Sequence, residues 1–174
     1  MDKIIFIPRL QRERDKFEIL LNQVGFSRRM TMKGVSGGYS VKDLLVDILT
    51  REEFIADRLN ELLHDEVYTP SASLTALANF QNKFGYPDYE SPLLVIEDRD
   101  HVTLYKHRNI GLEDIVEQEI AAYCNILSAF ERLTYEQCLD HDLFQRTAEH
   151  TYKPYRRLSI EINHWLRSIR TESN

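Results

Sequence analysis

The chain has 174 residues, of which 43% are hydrophobic and 29% are charged, and its formal net charge is −6. This length accommodates one domain with a sizeable core, and the apolar content excludes a wholly disordered chain. The acidic balance disfavours a dedicated binder of nucleic acid or anionic membranes, because neutralising phosphates needs a net basic surface. The two cysteines, Cys124 and Cys138, lack the spacing of a redox motif, so we expect reduced thiols. The opening apolar run is too short for a signal or membrane-spanning helix, which predicts a cytoplasmic protein.

Two amphipathic helices are predicted in the first third of the sequence. Apolar residues recur on one face of Leu10–Val24, and a longer apolar stripe runs through Ser40–Leu63. Asp43 follows the start of the second stripe by three residues, which is the spacing of a capping box. Asp47 and Arg51 border this stripe four residues apart, a spacing that permits an ion pair. A rim ion pair that adds little stability is the simpler interpretation, and contact with a ligand is the alternative.

The segment that follows the second helix is predicted to contain a short helix and a β-hairpin. The spacing of apolar residues indicates a helix over Ser73–Phe84. Two β-rich runs, Leu93–Ile96 and Val102–Tyr105, flank turn-forming residues, which is typical of a small hairpin. We expect this hairpin, at residues 93–106, to pack on the helices or on a second subunit, because an isolated hairpin is only marginally stable.

A third long helix is predicted over Leu112–Leu133, and its core-facing side includes one acidic residue. Glu119 lies near the centre of the apolar face, beside Tyr123 on the helical wheel. A carboxylate at such a position must be paired, hydrogen-bonded or protonated. A structural contact with Arg51 or with a hydroxyl such as that of Tyr155 is the simpler interpretation. A general acid or base in a pocket is the alternative.

The closing segment is predicted to be a core-facing helix with a kink. Apolar and small residues recur at steps of three and four over Phe144–Ile169. Pro154 stands in the middle of this segment, where it removes the hydrogen bond to the carbonyl of His150 and should kink the helix. Asp142 is predicted to cap this helix, and Thr134 is predicted to form a capping box with the glutamine three residues after it.

Four amphipathic helices in this order, with a long connection between the second and third, resemble the DinB-like and YfiT-like four-helix bundles. This bacterial superfamily includes metal-dependent thiol transferases and mycothiol-dependent isomerases. Ser40–Leu45 resembles the stretch that opens the second helix of the superfamily, and Thr151–Tyr152 with Ile162–Leu166 resembles its closing stretch. The resemblance implies an all-α, up-down-down-up four-helix bundle over residues 1–174, with a small helix and β-hairpin insertion between helices 2 and 3.

The superfamily's metal site does not carry over to this sequence. In the metal-binding members, one histidine on the second helix and two on the fourth hold the metal. The corresponding positions here are Asp47, Pro154 and Leu158. Aspartate is able to bind a metal, whereas proline and leucine are not, so we expect no catalytic metal and no other cofactor.

The closing helix resembles more closely the ClbS/DfsB branch of the superfamily. The branch has the pattern Pro-Tyr-basic followed by Ile-x-x-Trp-Leu-basic, which matches Pro154–Arg156 and Ile162–Arg167 in register. This branch includes a resistance protein that opens an electrophilic cyclopropane ring of a genotoxic metabolite. The resemblance therefore implies a metal-free kinked helix and, as an expectation, hydrolysis of a small electrophile.

Two functional hypotheses follow. The first is a metal-free hydrolase or small-molecule detoxification protein, in which a buried acid donates and later accepts a proton. The second is a non-catalytic, dimeric ligand-binding or stress-related bundle that has lost the metal site. A homodimer and a small-molecule ligand are expected by analogy in either case, without nucleic-acid or membrane partners. The candidate catalytic residues are Glu119, Tyr155 and Tyr123, and the candidate ligand-binding residues are Asp47, Arg51 and His150.

Overall fold

The structure is a computed structural model that describes residues 1–25, 27–95 and 103–173. Within these ranges it is all-α, without a β-strand, so the predicted fold class is confirmed. The helices are α1 (Lys3–Val24), α2 (Ser27–Met30), α3 (Val41–Leu63), α4 (Leu74–Phe84), α5 (Leu112–Arg132), α6 (Tyr135–Asp140), α7 (Leu143–His150) and α8 (Tyr152–Glu172). Residues 103–107 form a further short helical segment. Of the helices in the described ranges, none is long and apolar enough to cross a membrane.

The chain forms two compact units. The first unit comprises Met1–Ile48 together with Thr134–Asn174, and the second comprises Leu49–Leu133. The helix α3 contributes its first residues to the first unit and the remainder to the second. The single domain over residues 1–174 and the up-down-down-up order of the helices stay predictions.

In the first unit, α1 packs against α8. The helix α1 begins at Lys3, seven residues before the predicted start, because the Asp2 side chain accepts a hydrogen bond from the amide of Ile4 at 3.4 Å. Pro8 lies inside this helix. The apolar residues that α1, α7 and α8 bury in this unit are Phe6, Leu10, Phe17, Leu20, Val24, Leu143, Phe144, Leu158, Ile162, Trp165 and Leu166.

Two predicted capping boxes are present in the first unit. The amide of Asp43 donates to Ser40 Oγ at 3.2 Å, and the amide of Ser40 donates to Asp43 Oδ2 at 2.8 Å. Thr134 forms the same reciprocal pair with Gln137 at the start of α6. Asp142 occupies the N-cap position of α7, but its side chain makes no cap hydrogen bond, since its backbone is left-handed with φ of 51°. The sequence therefore located these helix starts correctly.

The closing segment is two helices instead of one kinked helix. The interruption lies at Thr151, whose φ of −127° and ψ of −97° separate α7 from α8. Pro154 is the third residue of α8, where a missing N–H costs no helical hydrogen bond. The predicted kink at Pro154 is therefore wrong. The chain breaks in the turn before the proline, because in a continuous helix the proline ring would clash with the carbonyl of His150.

The second unit is organised around aromatic side chains on α3, α4 and the segment after α4. Ser73 caps α4, since its hydroxyl accepts a hydrogen bond from the amide of Ala76 at 3.1 Å. The ring of Phe54 meets those of Tyr68, Tyr86 and Tyr89 edge to face, with centroids 5.6 to 6.0 Å apart.

The predicted β-hairpin at residues 93–106 is wrong in the part of it that the structure describes. Residues 93–95 belong to a turn and an irregular segment, and residues 103–107 are helical, so the second predicted strand has helical backbone where it is seen. Residues 96–102 lie outside the described ranges. In so short a run, a pattern of β-branched and aromatic residues does not distinguish a β-strand from one turn of helix.

Candidate functional site

Three of the six predicted site residues lie in the first unit. Tyr155 on α8 is 1% exposed, and its ring stacks on that of Phe17 with centroids 5.2 Å apart. His150, at the end of α7, is also buried. Asp47 borders the core as predicted, and its carboxylate accepts a hydrogen bond from Arg157 at 3.4 Å. Because Arg157 is half exposed, this contact contributes little stability.

The other three predicted site residues lie in the second unit. Glu119 on α5 is 2% exposed, which confirms the prediction that its side chain faces the core. Tyr123, one turn further along the helix, is half-buried. Arg51 is buried, and its guanidinium lies 4.8 Å from the centroid of the Tyr89 ring. The expected pocket, lined by Tyr155, Glu119, Tyr123, His150 and Asp47, stays a prediction.

An open groove of about 440 Å³ runs between α1 and α8 in the first unit, next to Tyr155. Its floor consists of Phe17, Leu20 and Tyr155. Its charged groups are already paired, since Arg156 donates to both oxygens of Glu13 at 2.8 and 2.9 Å. This bidentate contact lowers the pKa of Glu13 to about 2. The groove therefore offers an apolar floor with a structural ion pair at its edge.

A second, more polar cleft of about 240 Å³ lies between α3 and α5 in the second unit. Its volume is slightly below the usual range for small-molecule pockets, about 300–1,000 Å³. Helix periodicity places its lining residues on facing sides of the two helices, at steps of three and four. The lining residues are Ala56, Asp57, Asn60 and Leu63 of α3 and Asn125, Ser128, Ala129 and Arg132 of α5.

One lining residue of this cleft, Asp57, has a second carboxyl group one helical turn away. Glu53 precedes Asp57 by four residues, so both side chains project from the same side of α3. Burial, together with the negative charge of Asp57, raises the pKa of Glu53 from its ordinary value of 4.5 to about 7. Glu53 is therefore an acid that gains and loses a proton near neutral pH.

The aromatic cluster of the second unit holds Asp57 in place. The hydroxyl of Tyr86 donates a short hydrogen bond to Asp57 Oδ2, and burial together with this bond raises the pKa of Tyr86, so that the hydroxyl stays protonated. Tyr86 is itself buried beside Phe54, with ring centroids 6.0 Å apart. The carboxylate of Asp57 thus keeps a fixed position one turn from Glu53, which is the arrangement an acid–base pair requires.

A buried arginine supports the same region. Arg58, the neighbour of Asp57 in sequence, has its guanidinium 4.6 to 5.1 Å from the centroids of four aromatic rings. Its Nη2 donates to Glu61 at 2.6 Å, while Nε and Nη1 face the rings without a hydrogen-bond acceptor. The rings are those of Phe54, Tyr68, Phe80 and Phe84.

The sequence analysis missed Glu53, Asp57 and Tyr86. The sequence does contain a signal for Glu53 and Asp57, because two acids four residues apart on one helix repel each other and are unfavourable without a compensating role. Both residues lie at the edge of the apolar stripe of α3, where charged residues are common and do not by themselves indicate a site. Nothing in the local sequence places Tyr86, which comes from an irregular segment, against Asp57.

No group of three or more histidine, cysteine, aspartate or glutamate side chains is arranged to hold a metal ion within residues 1–25, 27–95 and 103–173.

The comparisons with known proteins bear on the fold. No family model matches the sequence, and no curated protein matches it. The structure is similar to the crystal structure of an uncharacterised protein from Escherichia coli UTI89, with a TM-score of 0.65 over 95% of this chain and 92% of that chain. The two sequences are 9% identical, so the likeness shows a shared helical fold alone.

Proposed function

We propose that the protein is a hydrolase that acts on a small electrophile in the cleft between α3 and α5, with Glu53 as the general acid and Asp57 as the general base. The observation that carries this proposal is the pair of carboxyl groups at the cleft, in which burial and the Asp57 charge raise the pKa of Glu53 to about 7. An acid with such a pKa is protonated in a large fraction of molecules at neutral pH and is able to give up that proton.

In this proposal, the protonated Glu53 donates its proton to the leaving heteroatom or carbon of the electrophile as a water molecule attacks. The carboxylate of Asp57, which Tyr86 orients, takes one proton from the attacking water. Transfer of that proton to the deprotonated Glu53 restores both groups, so that the net reaction adds one water to the electrophile. No metal is required for these steps.

Glu53 takes the role that the sequence suggested for Glu119. Both are carboxyls on core-bordering faces, but Glu119 is 2% exposed, whereas Glu53 is partly exposed and precedes the cleft residue Asp57 by one helical turn. A general acid must come within hydrogen-bond distance of its substrate. The resemblance to the ClbS/DfsB branch supports the same reaction class, and a role in detoxification or resistance is part of this proposal.

A panel of small electrophiles that contains epoxides, lactones, activated cyclopropanes and carboxylic esters tests the proposal. We expect the wild-type protein to add water to at least one class. Glu53→Gln should reduce that rate about 10²- to 10⁴-fold, because a removed general acid costs this much. Glu117→Gln is the matched control, since Glu117 is an exposed acid on α5, and it should leave the rate unchanged. Full activity of Glu53→Gln, or no turnover of any class, would refute the assignment.

The second candidate function is non-catalytic binding of a small apolar molecule in the groove between α1 and α8. The apolar floor of Phe17, Leu20 and Tyr155 favours it, as does Ile160 at the edge, which is 72% exposed. Binding of an environment-sensitive hydrophobic dye tests this candidate. Ile160→Glu should weaken dye binding if the groove is the site, whereas equal binding by both proteins would rule the groove out.

A further inference from the structure

We infer that the cleft between α3 and α5 recognises a small molecule that carries a carboxylate beside an amide or carbonyl group, and that Arg132 holds the carboxylate. The inference rests on the proposed function for the choice of cleft, and it adds the chemical class of the substrate. The polar groups that line the cleft support it, because these groups have hydrogen-bonding capacity that the described part of the protein does not use.

Arg132 is the cationic residue of the cleft. It lies in the last turn of α5 and is exposed, and its side chain makes no hydrogen bond or ion pair with any residue in the described ranges. The arginines of the other sites differ in this respect, since Arg156 is paired with Glu13 and Arg58 with Glu61. A guanidinium has a planar fork of donors that matches the two oxygens of a carboxylate. Arg132 is therefore placed to bind an anionic group inside the cleft.

Three neutral polar side chains share the cleft with Arg132. Asn60, Asn125 and Ser128 are exposed, and their side chains make no hydrogen bonds within the described residues. Each amide offers two donors and one acceptor, and the hydroxyl offers one donor. Such a set matches the donors and acceptors of an amide or carbonyl group better than it matches a purely apolar molecule.

The charges of the cleft favour a single carboxylate over a phosphate. One guanidinium compensates one negative charge, and Glu53 and Asp57 stand close to the cleft with up to two further negative charges. A dianionic phosphate would be repelled by these carboxyls about twice as strongly as a monoanionic carboxylate, whose single charge Arg132 compensates. The volume of about 240 Å³ restricts the ligand to a small molecule.

The experiment uses N-acetylglycine, which has a carboxylate beside an amide, and its neutral counterpart N-acetylglycinamide as probes. Binding is followed by two-dimensional NMR titration at pH 7, through the side-chain amides of Asn60 and Asn125. We expect the wild-type protein to bind the acid at least about tenfold more tightly than the neutral amide. Arg132→Gln should lose this preference and bind the two probes alike.

Arg170→Gln is the matched control, because Arg170 is an exposed arginine in the last turn of α8, and it should retain the full preference. Equal binding of both probes by the wild-type protein would overturn the inference, as would an unchanged preference in Arg132→Gln. Tighter binding of inorganic phosphate than of N-acetylglycine would also overturn it.

The same titration with Glu53→Gln separates this inference from the proposed function. If the inference holds, Glu53→Gln keeps the preference for the acid probe, because Arg132 provides that preference. Turnover that survives in Glu53→Gln would refute the proposed reaction while leaving carboxylate recognition intact. If the wild-type protein binds both probes equally while its turnover of a neutral electrophile still depends on Glu53, carboxylate recognition alone is refuted.

Discussion

Glu53 and Asp57 lie one helical turn apart on α3, and burial with the charge of Asp57 raises the pKa of Glu53 to about 7. In the unfolded chain this glutamate has a pKa near 4.5, the ordinary value. Between these two pH values the unfolded chain releases the proton while the folded protein keeps it. The folded state therefore loses stability as the pH rises from about 4.5 to about 7.

Glu53→Gln should for this reason stabilise the protein at pH 8, by about 1–3 kcal/mol in the free energy of unfolding. At pH 4 the glutamate is protonated in both states, so the same substitution should have little effect there. Urea unfolding of the wild-type protein and the variant at both pH values measures the difference. Glu117→Gln serves as the control, and a Glu53→Gln protein that is less stable than wild type at pH 8 would contradict the prediction.

The ion pair of Glu13 and Arg156 has the opposite pH dependence. Hydrogen bonds from Arg156 lower the pKa of Glu13 from 4.5 to about 2, so the stabilisation is present above about 4.5 and is lost as the pH falls through about 2. We expect Glu13→Gln to cost about 1–2 kcal/mol at pH 7, because half-exposed Arg156 is screened by solvent. Thermal unfolding between pH 2 and pH 7 tests this, with the exposed Glu18→Gln as the control. A constant difference at all pH values would contradict it.

The aromatic surroundings of Arg58 should make this residue important for stability. Removal of its side chain leaves a cavity among four rings and deprives Glu61 of its partner. We expect Arg58→Ala to lower the free energy of unfolding by about 2–4 kcal/mol. Arg167→Ala, at an exposed position on α8, is the control and should change it by less than about 0.5 kcal/mol. Similar stabilities of the two variants would show that the rings do not hold Arg58.

Asp88 should be a second structural centre of the same unit. Its buried carboxylate accepts hydrogen bonds from the Tyr68 hydroxyl and from both the amide and the hydroxyl of Ser71, at 2.5 to 2.8 Å. Asp88→Ala leaves three donors without an acceptor and should cost about 3 kcal/mol or more. Asp88→Asn keeps one acceptor oxygen and should cost less. Denaturant unfolding ranks the two variants, and equal losses would indicate that packing alone matters at this position.

The helices could be predicted from the sequence because their signals are local. The apolar stripes identified α3 and α5, and the spacing of Ser40 with Asp43 located the start of α3 to within one residue. The burial of Glu119 followed from its wheel position alone, although the adjacent apolar residue Ile120 is 48% exposed. Hydrophobic periodicity thus predicts which helix residues face the core with an error of about one position.

Features that depend on distant residues or on backbone detail could not be predicted in this way. The break at Thr151 reflects how the chain accommodates Pro154, and periodicity does not fix on which residue such a break falls. The pKa of Glu53 depends on its burial in the folded unit, and the orientation of Asp57 depends on Tyr86, which is 29 residues away in sequence. Such groups become visible only when the packing of α3 and its neighbours is known.

The most direct test of the proposed acid–base site is a titration of the glutamate side chains by ¹³C NMR between pH 3 and pH 9. We expect one glutamate carboxyl to titrate near pH 7, a signal that should be missing in Glu53→Gln. In Asp57→Asn the same group should titrate at a lower pH, because the neighbouring charge has been removed. A wild-type spectrum in which every glutamate titrates below about pH 5.5 would contradict the assignment of Glu53 as an acid that works at neutral pH.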